Sequence, residues 1–342
     1  MRVKKYNYKV FLLNLPIQNI YSMQNKVIDH INKSKKPLFS FEILPPLKGK
    51  DINLIYDVID PLMEFKPKYL NITYHREEVV YKMHKSGLLE RKTVHKRPGT
   101  VAIAAAIKYK YREVNVVPHI ICGGFSKEET ENALIDLHFL GIRNLLVLRG
   151  DPLSADKEFK AEKDGHAHAL ELIKQIQKLN NGTYLDEELE NTTKMDFSFG
   201  VAGYPEKHFE APNIQTDLSY LKKKIDEGAE YIVTQMFFDN KKYFDFVNLC
   251  RQNDINVPII PGIKPISIKR HLNILPATFQ IDIPEELANE VRKCKTNEDV
   301  RQLGVEWAIE QSKELIKNNV PSVHYYSMGK ADNIYKIAKA VF

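Results

Sequence analysis

The sequence predicts an α/β fold, a closed (β/α)8 TIM barrel carrying an N-terminal extension, and three observations lead there. From Pro37 onward, short β-branched and aromatic runs alternate with longer amphipathic ones, the pattern of repeated βα units. The strand-like runs number eight, the count at which that barrel closes. No GxGxxG follows the first of them, as a doubly wound dinucleotide-binding sheet would normally require. With 342 residues, 43% of them hydrophobic and 27% charged, the chain can bury a large core, which excludes a disordered or fibrous class.

The elements follow in order. Residues 1–36 hold eight basic side chains (Arg2, Lys4, Lys5, Lys9, Lys26, Lys33, Lys35 and Lys36) against Asp29, leaving 42 basic and 43 acidic residues in the remainder. The net charge of +6 therefore sits in the head, which reads as a solvated basic extension, and residues 37–342 read as one catalytic barrel. No nucleic-acid module accompanies that charge, so no nucleic-acid partner is expected. Val10 to Leu15 follows basic residues as the core of a signal peptide would, but Asn14 and Pro16 interrupt it, and Met23 offers a second start. No run approaches the roughly 20 apolar residues that span a bilayer, so no membrane association is expected. Cys122, Cys250 and Cys294 are too few and too scattered for a disulfide framework, which fits a reducing compartment and a cytoplasmic location.

Strands are predicted over 38–42, 69–73, 115–121, 144–148, 197–202, 231–235, 258–261 and 323–327, and helices over 52–65, 100–111, 127–140, 166–179, 214–227, 241–253 and 299–318. In the fourth-strand approach, Glu128, Glu129 and Glu131 suit the positive end of a helix that Gly141 terminates. Residues 151–163 and 180–194 are polar insertions, the second reading as a mobile excursion.

Barrel chemistry gathers where strands end. Glu42 closes the run Leu-Phe-Ser-Phe-Glu, among large apolar groups that would raise a carboxyl pKa and keep a proton available near neutrality; a carboxylate paired with a nearby base is the other reading. Leu148-Arg149-Gly150-Asp151 ends strand four: the arginine can hold a phosphate in a bidentate grip, and the glycine lets a ligand approach the backbone, although the same residues suit an ordinary turn. Tyr204 to His208 follows strand five and Thr234 to Asp239 spans the end of strand six, together a plausible pocket for a flat heterocycle. His119 and Cys122, with His166 and His168, have ligand-like spacing, but no CxxC accompanies them and no metal is expected.

Taken in order, Ser-Phe-Glu-Ile-Leu-Pro-Pro (40–46), Asn-Ile-Thr-Tyr (71–74), Pro118-His119, Leu-Arg-Gly-Asp (148–151), Tyr-Pro-Glu-Lys-His-Phe-Glu-Ala (204–211), Thr-Gln-Met-Phe-Phe-Asp (234–239) and Ile-Pro-Gly-Ile (260–263) closely resemble the catalytic domain of the methylenetetrahydrofolate reductase family over residues 37–328. The resemblance implies a TIM barrel with non-covalent FAD, reduced by NADH or NADPH, that converts 5,10-methylenetetrahydrofolate to 5-methyltetrahydrofolate by a ping-pong route. It implies catalytic roles for Glu42, as general acid, and Asp151; FAD contacts at Thr73, His119, Arg149, Gly150, Asp151, Ala167, Tyr204, His208, Ala211, Asp217 and Lys224; and folate contacts at Glu42, Asp151 and Gln235. His166 stands where bacterial relatives often carry tyrosine, and Lys330 where an arginine that touches substrate is usual. NADH is the expected donor for a short chain of bacterial type, and a homo-oligomer is expected. The chain ends at Phe342 without the long regulatory domain of eukaryotic relatives, so feedback by S-adenosylmethionine is not expected. The alternatives are a flavin-free pterin-binding one-carbon transferase on the same barrel and a non-catalytic homologue acting as a binding subunit, against which Glu42, Asp151 and Gln235 together argue.

Overall fold

The computed structural model describes residues 25–74, 76, 78–153 and 158–342. In chain order these form α1 (Val27–Lys33), β1 (Leu38–Ile43), α2 (Asn53–Leu62), β2 (Tyr69–Ile72), β3 (Glu78–Met83), β4 (Leu89–Val94), α3 (Thr100–Lys110), β5 (Asn115–Ile121), α4 (Lys127–Phe139), β6 (Asn144–Leu148) and α5 (Ala169–Asn180). There follow β7 (Ser198–Gly203), α6 (Ile214–Asp226), β8 (Tyr231–Met236), α7 (Asn240–Gln252), β9 (Ile259–Ile263), α8 (His271–Phe279), α9 (Glu285–Lys293), α10 (Asn297–Lys317), β10 (Ser322–Tyr326) and α11 (Asp332–Val341).

Eight parallel strands close in the order β1-β10-β9-β8-β7-β6-β5-β2, and β3 with β4 forms a separate antiparallel hairpin. All eight predicted barrel strands are present, because each is a β-branched or aromatic run whose outward residues meet helices while its inward residues fill the lumen. On β1, Phe39, Phe41 and Ile43 join the helix-facing core, and Ser40 and Glu42 occupy the alternate positions. The helices start where capping residues allow. Ser126 accepts the Glu129 amide while Glu129 reaches back to the Ser126 amide, and Thr296 with Asp299 repeats that exchange at α10.

Four departures from the sequence reading follow from packing. α1 lies in the stretch read as solvated head, yet Val27 is fully buried with Ile31 against Tyr69, Leu146, Tyr231 and Ile260, closing the bottom of the barrel. The β3–β4 hairpin is inserted after β2, where charged and apolar residues alternate too weakly to be read as strand. Three helices rather than one separate β9 from β10, and α11 follows it; α8, α9 and α11 are short, and the first is interrupted by Pro276. The 180–194 excursion is tied down: buried Glu131 accepts the Leu185 amide at 2.9 Å, and the Tyr184 hydroxyl donates to the Thr193 carbonyl at 2.9 Å. Glu131 thus serves that loop rather than the helix dipole alone. The head residues Arg2, Lys4, Lys5, Lys9, Val10 to Leu15 and Met23 lie outside the described residues, as do 154–157 of the first insertion. Among the described residues no helix is long and apolar enough to cross a membrane.

Candidate active site

A cleft of about 420 Å³ opens at the carboxyl ends of the strands, within the range of small-molecule sites. Its apolar wall includes Leu44, Ile121, Leu146, Leu148, Val233 and Phe279. Of the residues singled out from sequence, the cleft brings together Glu42, Thr73, His119, Arg149, Gly150, Asp151, Tyr204, His208 and Gln235.

Glu42 points inward from the end of β1 with 12% of its side chain exposed, its Oε2 3.5 Å from His119 Nε2 on β5. His119 Nε2 is also 3.4 Å from the Asn71 amide, and both side chains are buried. Burial pushes the Glu42 carboxyl up to about 8, against the pull of the Lys264 ammonium. At neutral pH the group therefore holds its proton, as the strand-end reading expects. Thr73 is held by its hydroxyl on the Ile43 carbonyl at 3.3 Å.

At the end of β6, Arg149 grips the Glu210 carboxylate through both terminal nitrogens, Nη2 at 2.9 Å, and lies over the Phe159 ring at 4.9 Å. Gly150 follows at φ +86°, a conformation that side chains disfavour, and a Cβ there would come within 3.2 Å of Ile121. That turn carries Asp151 to the exposed lip of the cleft. Opposite, the Tyr204 and His208 rings meet edge-on at 4.7 Å, and the His208 amide donates to Asp217 at 2.9 Å. Burial lowers the His208 pKa, with Asp217 opposing. Gln235 Oε1 accepts the Met236 amide at 2.9 Å, leaving its Nε2 without a partner among the described residues.

Ala167, Ala211, Asp217 and Lys224 do not line this cleft. Asp217 supports His208 from behind. Lys224 on α6 lies close enough to Asp217 and Arg149 to feel both charges, and burial lowers its pKa. The Ala167 amide donates to Glu171 at 2.8 Å, and the Ala211 amide to the His208 carbonyl at 3.0 Å. Among the described residues no three His, Cys, Asp or Glu side chains gather where they could hold a metal ion; His166 meets Gln175 at 2.6 Å, and the Cys122 thiol donates to the Leu148 carbonyl at 3.7 Å. Lys330 lines a second cleft of about 260 Å³, next to the first and sharing Tyr326 and Met328 with it.

Two site residues escaped the sequence reading. Tyr326 stands beside Glu42 in the β1–β10 register and donates its hydroxyl to the Thr234 carbonyl at 2.6 Å. Lys264, 7% exposed, follows β9; the alternation Ile260, Gly262, Lys264 would have placed it inside had the strand not been ended at residue 261.

Residues 26–341 match the family model of methylenetetrahydrofolate reductase. The chain is 31% identical to methylenetetrahydrofolate reductase (NADH) 1 of Arabidopsis thaliana over 89% of its own length and 48% of the plant protein. It spans about half the length of this and other curated eukaryotic relatives it matches. It is 30% identical to the 5,10-methylenetetrahydrofolate reductase of Salmonella typhimurium, covering 87% of this chain and 88% of that one. Among solved structures, an uncharacterized protein from Clostridium thermocellum, described as binding two copies of 5-methyl-5,6,7,8-tetrahydrofolic acid, superposes with a TM-score of 0.54 at 16% identity over 92% of this chain and 97% of that one, a likeness of fold. The chain belongs to the methylenetetrahydrofolate reductase family.

Proposed function

We propose that this chain reduces 5,10-methylenetetrahydrofolate to 5-methyltetrahydrofolate, using NADH or NADPH and non-covalent FAD. The observation that carries the reading is Glu42: a buried carboxyl, protonated at neutrality, on the inner face of the barrel at the mouth of a ligand-sized cleft. The cleft's donor set suits a flavin dinucleotide. Apolar side chains wall a slot for a flat ring, the Tyr204 hydroxyl has no hydrogen-bond partner among the described residues, and Arg149 and Lys224 put cationic charge near one side, where a diphosphate is best held. Gly150 keeps the backbone beside Arg149 open to close approach.

When bound, FAD supplies a two-electron carrier that accepts hydride from the nicotinamide and returns it to the folate. The residues of the chain do the rest. Glu42 donates its proton to nitrogen 10 of the folate; the electron pair of the bond from that nitrogen to the bridging carbon stays on nitrogen 10, and the five-membered ring opens to an iminium ion. Asp151 sets a negative charge beside that developing cation, which electrostatically favours ring opening. Gln235 offers its free amide to the pterin. The apolar wall limits water at the reacting carbon.

The test is anaerobic spectroscopy of the purified protein. A flavin spectrum that bleaches with NADH or NADPH and returns on adding methylenetetrahydrofolate is the expected result, and the faster of the two donors identifies the preference. A colourless protein that binds folate without redox turnover would overturn the reading in favour of a flavin-free transferase.

A further inference from the structure

Burying an ammonium is costly unless a charge partner compensates for it, and Lys264 is buried while making no direct hydrogen bond or ion pair among the described residues. Its place in the barrel explains it. Glu42 pairs with Tyr326 across β1 and β10, and Tyr325 pairs with Ile263 across β10 and β9, so one step further along Lys264 stands beside Tyr326. Glu42, Tyr326 and Lys264 are therefore consecutive members of one ring of inward-facing residues. Gly262 makes the ring possible, since a Cβ there would come within 2.7 Å of the Tyr326 side chain.

We propose that Lys264 is a positioning residue for the proton on Glu42, an ammonium held two strands away that stabilises the carboxylate left when Glu42 protonates the folate. This rests on the reading of Glu42 as general acid. Burial alone would bind the proton too tightly for transfer, and the cation opposes that effect while burial draws the lysine itself down to about 8. The groups facing the pair are few. His119 and Asn71 lie on the β5 and β2 side of Glu42, and Tyr326, whose hydroxyl is committed to the Thr234 carbonyl, stands between the two. His271 of α8 lies close enough to Lys264 for the ammonium to lower its pKa. Arg301, Lys330 and Asp332 share the second cleft with Lys264, Arg301 being paired with Glu298 at 2.8 Å.

The experiment uses the full-length flavin-loaded protein as Lys264→Met and Lys264→Arg. Two quantities are read against pH: the rate of the folate half-reaction, and the infrared carbonyl band of the protonated Glu42 carboxyl, assigned by its loss in Glu42→Gln. Lys264→Met should raise the midpoint of both by about one to three units, the effect of one close opposite charge, whereas Lys264→Arg should leave it near the wild-type position. An unmoved midpoint in Lys264→Met, or the same rise in Lys264→Arg, overturns the proposal. If Lys264→Met does not fold, Lys264→Gln is read in the same way. A wild-type protein that fails to reduce folate would defeat the functional reading instead, while the infrared titration would still report on Lys264.

Discussion

At the floor of the barrel, Val27 and Ile31 of α1 meet Tyr69, Leu146, Tyr231 and Ile260, and the polar groups there are answered: Asn144 accepts the Val27 amide at 2.9 Å and donates to the Asn25 carbonyl at 3.2 Å. At the mouth of the same strands, Glu42 lies 3.5 Å from buried His119 with buried Lys264 two strands away, the side-chain oxygen of Asn71 has no hydrogen-bond partner among the described residues, and a cleft replaces a plug. The strands are continuous, so the difference lies in what their last inward residue is. The floor spends its buried side chains on stability. The mouth keeps polar groups short of partners, which raises the free energy of the folded chain and leaves them able to act on a ligand.

Glu42→Gln tests that contrast most strongly. Folate reduction should fall by about 10²–10⁴-fold, the usual contribution of a general acid, while flavin reduction by nicotinamide is unchanged, as single-turnover measurements of each half-reaction would show. Stability should move the other way. A carboxyl raised from 4.5 to about 8 contributes its full stability below about 4.5 and loses it as pH rises through about 8, because the unfolded chain gains by ionising and the folded chain does not. The variant lacks that slope, so its melting temperature should exceed the wild-type value by a margin that widens from pH 5 to pH 8. In the wild type, the folate half-reaction should decline through about pH 8. Equal activity in Glu42→Gln, or a margin that narrows with pH, would break the assignment.

Asp151→Asn should have a smaller effect, since Asp151 sits at the exposed lip where water screens its charge. A loss on the order of 2 kcal/mol in the folate half-reaction is expected, below the roughly 3–4 kcal/mol of an enclosed group, with flavin reduction little changed. Equal slowing of both half-reactions would point to a displaced flavin rather than to a lost charge.

The mouth was more legible in the sequence than the floor, for a physical reason. Glu42, Arg149 and Gln235 each end an apolar strand run, and a polar residue closing such a run stands out. Lys264 did not, because Pro258 and Pro261 made β9 look shorter than it is, and Tyr326 looked like one more aromatic of its strand. Asp217 and Lys224, which the family resemblance names as FAD contacts, do not line the cleft, and no strand-end signal marks them, since both stand on α6. α1 was hidden because four of its seven residues are polar or charged and basic residues surround it; only Val27 and Ile31, four apart, mark the buried face. A single helical turn of hydrophobic signal is too little to distinguish a plug from a solvated tail.

The smallest effects are expected at the floor, where a graded pair of changes locates the edge of the folded unit. Asn144→Ala leaves the Val27 amide without its partner beneath the barrel and the Asn25 carbonyl with Asn115 alone, and should cost about 1–3 kcal/mol of stability without altering either half-reaction, because the mouth lies at the opposite ends of the strands. Removal of residues 1–22 should cost nothing measurable. The contacts that seat α1 begin at Asn25, whose carbonyl accepts from both Asn115 and Asn144, and at Lys26, which reaches Glu230 at 3.0 Å. Both contacts survive the cut, and the barrel's first strand begins at Leu38. Chemical denaturation and flavin retention on a desalting column measure the two changes side by side. A truncated protein that sheds its flavin or unfolds at lower denaturant than Asn144→Ala would show that the apolar run from Val10 to Leu15 belongs to the floor as well.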